Sequence, residues 1–394
     1  MERETAYLLH LLGAYLRNEE PESCPDADWN RLSRLAGIHH LSGILGYMAM
    51  NHPICPDAQM QEALRNRCLN TIMRYASRGA LAEEFSEILS QNGIDHIVMK
   101  GFVLKELYPV PELRTYGDVD LVIRREDREK CHDLMKKLGF SIKADWEPVY
   151  GYTRNREFYE LHTELLDTDL PGKANCRDYF RTPWAHARCE EHRRFQLEPE
   201  YHFLYLVTHL AKHVAGSGAG LRMYLDIAVF VQRYGDTLNW GKTGEVLELL
   251  GLDRFAGTVL SLVEQAFGIS APIGGNTVGQ TTIDEFLEFT LNGGVFGKVD
   301  KEGGVLSMKE ESRNRGEISR SGTLVSRLFP AAKTIQSRYT YLQKSPWLLP
   351  VAWVHRAVKT GGKIRDHAAE ARSILSADKD AVRQLNRLYE EIGL

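Results

Sequence analysis

The sequence predicts an α+β protein: a small mixed-sheet core flanked by N-terminal and C-terminal helical regions. Three observations carry this expectation. Apolar residues recur at helical spacing through residues 1–92 and again from Glu198 onward. Between them, short β-rich runs alternate with short helices over residues 93–170, the pattern of a compact α/β unit. Two Gly-rich polar stretches, 271–282 and 292–324, then separate a middle helical block from a last one. The organisation expected is a helical region over 1–92, an α/β core over 93–197, a helical region completing a cleft over 198–270, polar loops and linker over 271–324, and a C-terminal helical region over 325–394. A chain of 394 residues suits two or three domains of roughly 100–200 residues.

Each element has a local reason. Leu8, Leu9, Leu12, Tyr15 and Leu16 make one helix face. Asp28 is placed to cap a helix running through Leu32 and Leu35. From Asp57 to Gln91 an intermittent apolar stripe (Leu64, Cys68, Ile72, Tyr75, Leu81, Phe85, Ile88) predicts a long helix, which Asn92-Gly93 closes. Ile94 to Met99 reads as a strand. Gly101 to Tyr108 reads as a helix stopped by Pro109 and Pro111. Asp118 to Ile123 reads as a strand, Glu126 to Leu138 as a helix ended by Gly139, and Phe140 opens a further strand. Phe158 to Leu165 is another. Helices are expected at 199–215, 220–234, 242–250 and 253–267.

Composition bounds the function. Lys plus Arg is 49 and Asp plus Glu is 53, a formal net charge of −4, which argues against a long nucleic acid as the main partner. Six cysteines without a CxxC pair argue against a disulfide framework or a cysteine zinc site. The first residues lack the basic start and small-residue cleavage site of a signal peptide, and no apolar run approaches the roughly 20 residues that span a bilayer. A cytoplasmic location is expected.

The sharpest feature is Tyr116-Gly117-Asp118-Val119-Asp120-Leu121-Val122-Ile123. Strand side chains alternate faces, so Asp118 and Asp120 share one, and Val119, Leu121 and Ile123 bury on the other. Close carboxylates repel unless cations compensate. Magnesium takes such oxygen ligands together with substrate phosphates. On spacing alone, the triplet more often marks a half-exposed strand with two solvated acids, because isolated D-x-D triplets are common. Upstream, Ile97-Val98-Met99-Lys100-Gly101 is a strand running into a glycine at a helix start, where phosphate can approach the backbone and Lys100 adds charge. Arg114 also lies within reach of a phosphate. Downstream, Phe158 to Leu165 would put Glu160, His162 and Glu164 on one strand face and Tyr159, Leu161 and Leu165 on the other. A second triplet, Asp167-Thr168-Asp169, precedes Leu170-Pro171-Gly172 and reads as a turn.

In this order (strand, Lys100-Gly101, helix, Leu113-Arg114, Gly117-Asp118-Val119-Asp120-Leu121-Val122, helix, Gly139-Phe140, strand, Glu160-Leu161-His162) residues 93–165 resemble the polymerase-beta-type nucleotidyltransferase superfamily. More closely, they are similar to the uncharacterised bacterial nucleotidyltransferase family in which an LKG-type segment precedes R-x-x-x-D-x-D. Trp29, Leu35, Ala36 and His39, the Thr208–His213 segment, Leu221-Arg222-x-x-x-Asp226, and the region from Leu328-Phe329-Pro330 to Trp347-Leu348-Leu349-Pro350 also fit that family.

The resemblance implies a metal-dependent transfer of a nucleoside monophosphate from an NTP, such as ATP, to an acceptor hydroxyl, with Mg2+ or Mn2+ as cofactor. Asp118 and Asp120 would bind both ions, Glu160 would hold the second or serve as base, and Lys100, Gly101 and Arg114 would bind nucleotide. The chain has Lys-Gly where the wider superfamily usually has Gly-Ser, Glu160 where Asp is more usual, and Thr163 after the histidine where Trp is frequent. The acceptor is unknown, with a small molecule or a protein favoured over long RNA. The alternatives are a non-catalytic nucleotide-binding or accessory protein, or a toxin-type transferase acting on tRNA or protein.

Other patterns carry less. His209 and His213 are four apart on one helix face, read as packed histidines or as supports of the cleft alongside His162; a zinc-protease helix would need Glu at Leu210. Arg222 and Asp226 read as an i, i+4 ion pair. Gly274 to Thr281 has P-loop spacing but lacks its lysine and its strand, so it reads as a flexible loop. The run from Pro346 to Arg356, followed by Lys359, Lys363 and Arg365, fits a membrane-surface helix, but more commonly a helix docked on the core with its basic residues in solvent.

Overall fold

The computed structural model describes residues 1–155, 157–170, 172–173, 175–216, 218–272, 278–293, 307–308, 319–336, 339, 341–360, 371–376 and 378–394. Four helices open the chain: α1 (Arg3–Arg17), α2 (Trp29–Ile38), α3 (Ser42–Asn51) and α4 (Ala58–Gln91). The Asp28 carboxylate accepts hydrogen bonds from the Asn30 and Arg31 amides, and that of Asp57 from the Met60 amide, so both cap orphan donors as N-caps do. Gly93, with φ +66°, turns the chain out of α4 where a Cβ would be strained.

The sheet follows. Its strands are β1 (His96–Val98), β2 (Val119–Ile123), β3 (Ser141–Trp146), β4 (Val149–Arg154), β5 (Glu157–His162), β6 (Ala187–Glu191) and β7 (Arg194–Leu197), in the order β3-β4-β5-β2-β1-β7-β6. It is mixed: β1 pairs antiparallel with β2 and parallel with β7, while β2 pairs parallel with β5. Helix α5 (Lys100–Leu104) is a single turn after β1, and a 3-10 turn extends it to Leu107. Helix α6 (Arg128–Lys137) follows β2, and the short α7 (Cys176–Tyr179) follows β5. Four long helices come next, α8 (Pro199–Gly216), α9 (Leu221–Tyr234), α10 (Trp240–Leu249) and α11 (Asp253–Phe267), within a residue or two of expectation.

The two faces of the sheet enter different cores. Val119, Leu121, Ile123, Tyr159 and Leu161 pack with Phe85 and Leu89 of α4 and Cys131 and Met135 of α6. Ile97 and Val122 belong to the larger core that α1, α3, α8, α9 and α11 build. Alternation therefore sends Asp120, Glu160 and His162 toward the helical side. The expected strand to Leu165 stops at His162, so Leu165 joins the larger core and Glu164 leaves the strand face. Glu164 is instead buried against Arg125 and Arg177.

Beyond α11, residues 273–277, which include the first half of the P-loop-like stretch, lie outside the described residues, as do 294–306 and 309–318, while Gln280 and Thr281 open the next helix. Within the expected polar stretch 271–324, Gln280–Gly293 forms a helix, α12, buried through Ile283, Phe286 and Leu287. Its apolar spacing carries it despite the Gly-rich flanks. The C-terminal region has helices α13 (Arg320–Leu328), α14 (Leu349–Thr360) and α15 (Lys379–Ile392), with short turns between α13 and α14. Among the described residues no helix is long and apolar enough to cross a membrane.

Gly46 is where α3 crosses α4 most closely: a Cβ there would overlap the Leu64 carbonyl oxygen. We expect Gly46→Ala to destabilise the fold by about 1–3 kcal/mol. Gly244 in α10 has open space around it, and Gly244→Ala should stabilise by about 0.5–1 kcal/mol through helix propensity. Urea midpoints of opposite shift would bear this out; midpoints moving together would refute the packing argument.

Candidate active site

The centre of the sheet brings the acids together. Parallel pairing sets Asp120 of β2 in register with Glu160 of β5, and Val122 with His162. The His162 Nε2 lies 3.0 Å from the Asp120 Oδ1 and 3.5 Å from the Glu160 Oε2. Antiparallel pairing with β1 brings Met99, whose amide donates to the Asp120 carbonyl, and so delivers Lys100. The Lys100 ammonium donates to the Asp120 Oδ1 at 2.6 Å. Lys100 holds φ at +49°, a left-handed conformation that costs a non-glycine residue on the order of 1–3 kcal/mol. Its ion pair with a buried carboxylate is the interaction set against that cost.

Gly101 serves packing as much as any ligand. A Cβ there would overlap the Arg114 guanidinium and crowd the Tyr116 Cβ. Arg114 is buried and bidentate on Asp226 of α9, with Nε at 3.0 Å and Nη2 at 2.5 Å, and the Tyr108 hydroxyl donates to the same carboxylate at 2.8 Å. The expected Arg222–Asp226 helix-face pair is therefore replaced. Arg222 donates instead to the Thr115 carbonyl at 2.9 Å, and its Nε is buried without a hydrogen-bond partner. An exposed i, i+4 pair is weak, whereas a carboxylate buried between two elements takes the guanidinium that desolvates with it.

Arg78 completes the loop before Asp118. Its guanidinium donates to the Tyr116 and Gly117 carbonyls at 2.6 and 2.8 Å, and Tyr75 donates to the Tyr116 carbonyl at 3.3 Å. The sequence reading missed Arg78. Two residues on a 34-residue helix carry no local signal that they reach a loop some forty positions away.

These groups line one cavity of about 340 Å3, walled by Lys100, Gly101, Arg114, Asp118, Asp120, Arg222, His209 and His213 among others. That volume is at the small-molecule scale. Of the residues expected at a site, the cavity gathers seven: Asp118, Asp120, Lys100, Gly101, Arg114, His209 and His213. Glu160 and His162 lie beside it, joined to it through Asp120. The rings of His209 and His213 meet edge-on, with their Nε2 atoms 3.3 Å apart. Among the described residues, the one cluster of three metal-capable side chains is Asp120, Glu160 and His162, whose ligand atoms all lie within 4.8 Å. His209 and His213 belong to no such cluster.

The electrostatics follow from crowding. Burial opposes the charge of Asp120, but Lys100 and His162 hold its carboxyl well below the usual range. Asp118 is pushed up to about 6, first by the charge of Asp120 and then by burial. Burial would lower the Lys100 ammonium, yet Asp120 outweighs it and the net shift is upward. His162 is likewise raised: burial works against its charge, and its hydrogen bonds to Asp120 and Glu160 prevail. His209 is held far down by burial and Lys100. His213 keeps an open face, but withdrawal into the cleft and the charges of Lys100 and Lys212 bring it to about 4. The histidine pair is thus neutral at pH 7, a hydrogen-bond partner rather than a cation.

A family model described as uncharacterised nucleotidyltransferase matches residues 25–268, more than half of the chain. The chain belongs to this nucleotidyltransferase family. The matched span runs from before α2 to just past α11 and contains every residue lining the cavity. It stops short of the 328–350 region, where the sequence resemblance extends further. No curated protein and no solved structure matches the chain.

Asp226→Asn would leave the buried Arg114 charge uncompensated. We expect a loss of about 3–5 kcal/mol in unfolding free energy by urea titration, the cost of breaking a buried pair from one side. A loss below about 1 kcal/mol would mean the Arg114–Asp226 pair does not brace the cavity.

Proposed function

We propose that the protein transfers a nucleoside monophosphate from an NTP to an acceptor hydroxyl with release of pyrophosphate, and that the cavity behind Asp118 and Asp120 is where it does so. The observation that carries this reading is the strand register, which sets Asp120 against Glu160 with Asp118 at the mouth of the same cavity, in a chain of nucleotidyltransferase family.

The donor set fits a hard divalent cation. Asp120 and Glu160 on adjacent strands, with Asp118 just before the first of them, offer oxygen ligands of the kind Mg2+ and Mn2+ take, and His162 adds a nitrogen beside them. A buried Tyr205 hydroxyl and the Arg222 Nε lack protein partners, as polar groups awaiting a ligand do. Asp118, Asp120 and Glu160 would hold the metal, which supplies charge stabilisation to the phosphates when bound.

The chain's own residues do the rest. Lys100 moves from Asp120 toward the triphosphate, exchanging one anion for another. Arg222 presents its unpartnered Nε–H to a phosphate oxygen, while Arg114, fixed on Asp226, adds positive potential through the cavity wall. The arginine-held loop from Thr115 to Gly117 keeps Asp118 in place, so little reorganisation is needed when the charge arrives. The neutral pair His209 and His213 lines the same cavity and would hydrogen-bond the acceptor there, while its low basicity leaves Glu160 as the candidate base. The acceptor favoured is a small molecule or a protein, in keeping with a small-molecule-sized cavity.

One observation favours a second reading, nucleotide binding without turnover. The Lys100 ammonium sits on the Asp120 oxygen that a metal would use. If it stays there, nucleotide can bind and no transfer follows.

Incubating the protein with each of four labelled NTPs, Mg2+ or Mn2+ and a cell extract separates the two. Transfer of label to a small molecule or a protein, reduced at least about a hundredfold by Asp118→Asn with Asp120→Asn, is the expected result. Nucleotide binding without pyrophosphate release would establish the second reading. Label on tRNA would place the acceptor among nucleic acids instead.

A further inference from the structure

The C-terminal region concentrates charge that the chain's total hides. Between Glu317 and Asp366 there are nine Lys and Arg residues and no Asp or Glu. The rest of the chain is left with 40 Lys and Arg against 53 Asp and Glu, a formal −13. Helices α13 and α14 both lie in this all-basic segment.

The same segment turns apolar side chains outward. In α14 the inner face is Ala352, which is buried, and Trp353, whose indole donates to the Pro330 carbonyl at 2.9 Å and meets the Phe329 ring edge-on. The outer face carries Val351, Val354 and Val358, 55, 65 and 78 % exposed, in line with Trp347 just before the helix, 77 % exposed. The spacing of 4, 3 and 4 puts these four on one stripe. Leu328 and Phe329 at the end of α13 are also more than half exposed. A docked helix with only its basic residues in solvent is therefore not what forms. The small core beneath α14, made by Ile335, Tyr339, Leu342 and Ala352, is separate from the large one, so the outer stripe is not left over from packing on the main body.

We infer that this face docks on the surface of an anionic lipid bilayer. An exposed Trp and aliphatic stripe on a helix without acidic residues, within a segment of one charge sign, is what the headgroup boundary of such a bilayer complements: the apolar side enters the acyl edge and the basic side chains meet the phosphates. A nucleic acid would complement the charge but not a stripe of valines. A second copy of the chain would complement the valines but bring together two segments of the same charge sign. The inference is independent of the nucleotidyl-transfer reading, because none of these residues lines the cavity.

The test is flotation of the full-length protein with phosphatidylcholine vesicles, with or without one-third phosphatidylglycerol. Binding to the anionic vesicles should exceed that to the zwitterionic ones at least about tenfold at low salt and fall as salt screens the headgroups. Trp347→Ala with Val354→Asn and Val358→Asn, all at exposed positions, should cut binding to anionic vesicles at least about tenfold with an unchanged circular dichroism spectrum. A second variant, Lys344→Gln with Lys363→Gln, should weaken anionic binding and leave zwitterionic binding as it was. Failure to float with either vesicle overturns the inference. So does retention of tRNA without vesicle binding, and so does a dimer by light scattering that the valine substitutions abolish while lipid binding is absent.

Discussion

Asp120 is a carboxylate kept ionised in the middle of a sheet, and the surroundings are arranged to allow it. Burying a lone charge is prohibitive, so it must be paired and hydrogen-bonded. Lys100 and His162 do both. The consequences spread outward. Lys100 reaches Asp120 only because β1 pairs antiparallel with β2, and it accepts a left-handed backbone to point inward. The next position must then be glycine, since the Arg114 guanidinium fills the space a side chain would take. Arg114 in turn requires Asp226, which ties the helical half of the chain to the sheet. A single buried charge thus links strand register, a strained residue, a glycine and an interface between two structural layers.

That chain of dependence explains what the sequence disclosed and what it withheld. The Asp28 cap, the stop at Gly93 and the alternation through β2 are local: each depends on residues within a few positions, and each is where the sequence pattern puts it. Strands β4, β6 and β7 were not foreseen. β6 is a largely exposed edge reading Ala-Arg-Cys-Glu-Glu, without the alternation that betrays a strand. Glu164 looked like a third acid on the strand face because nothing local says the strand ends at His162. The partner of Asp226 was misread for the same reason: the i, i+4 rule finds Arg222, while the actual partner Arg114 lies 112 residues away. At the candidate site, the sequence order pointed to Asp118, Asp120, Glu160, Lys100 and Gly101, which the fold brings near one another; it did not point to Arg78, which holds the loop in place.

The helical half does more than cover the sheet. Helices α8 and α9 contribute His209, His213, Arg222 and Asp226 to the cavity wall, so the site is an interface between layers rather than a property of the sheet. The family match includes both helices and continues to Gly268, well past the last strand. A minimal α/β unit would keep the carboxylates and lose the arginine-held loop and the neutral histidines. Lys100 and His162 would still pair with Asp120, but Asp118 would follow a loop that nothing holds.

The formal charge of −4 argues against a long nucleic acid as the main partner, but a sum does not say where the charge lies. Charges in water are screened beyond about 8 Å at physiological salt, so a distant partner-facing patch does not feel the sum over the molecule. What acts is the local density, and here one segment holds nine basic residues and no acid while the remainder is −13. Such segregation orients a molecule in an external field where an even distribution of the same total would not. The cavity, with its cluster of acids, lies wholly within the acidic part and within the family-matched span, whereas the basic apolar face lies outside both. An anionic surface would therefore attract the segment 318–365 and not the remainder of the chain, holding the basic segment against the lipid without drawing the carboxylates toward it. The two features are chemically compatible in one molecule because they are opposite in sign and separate in sequence.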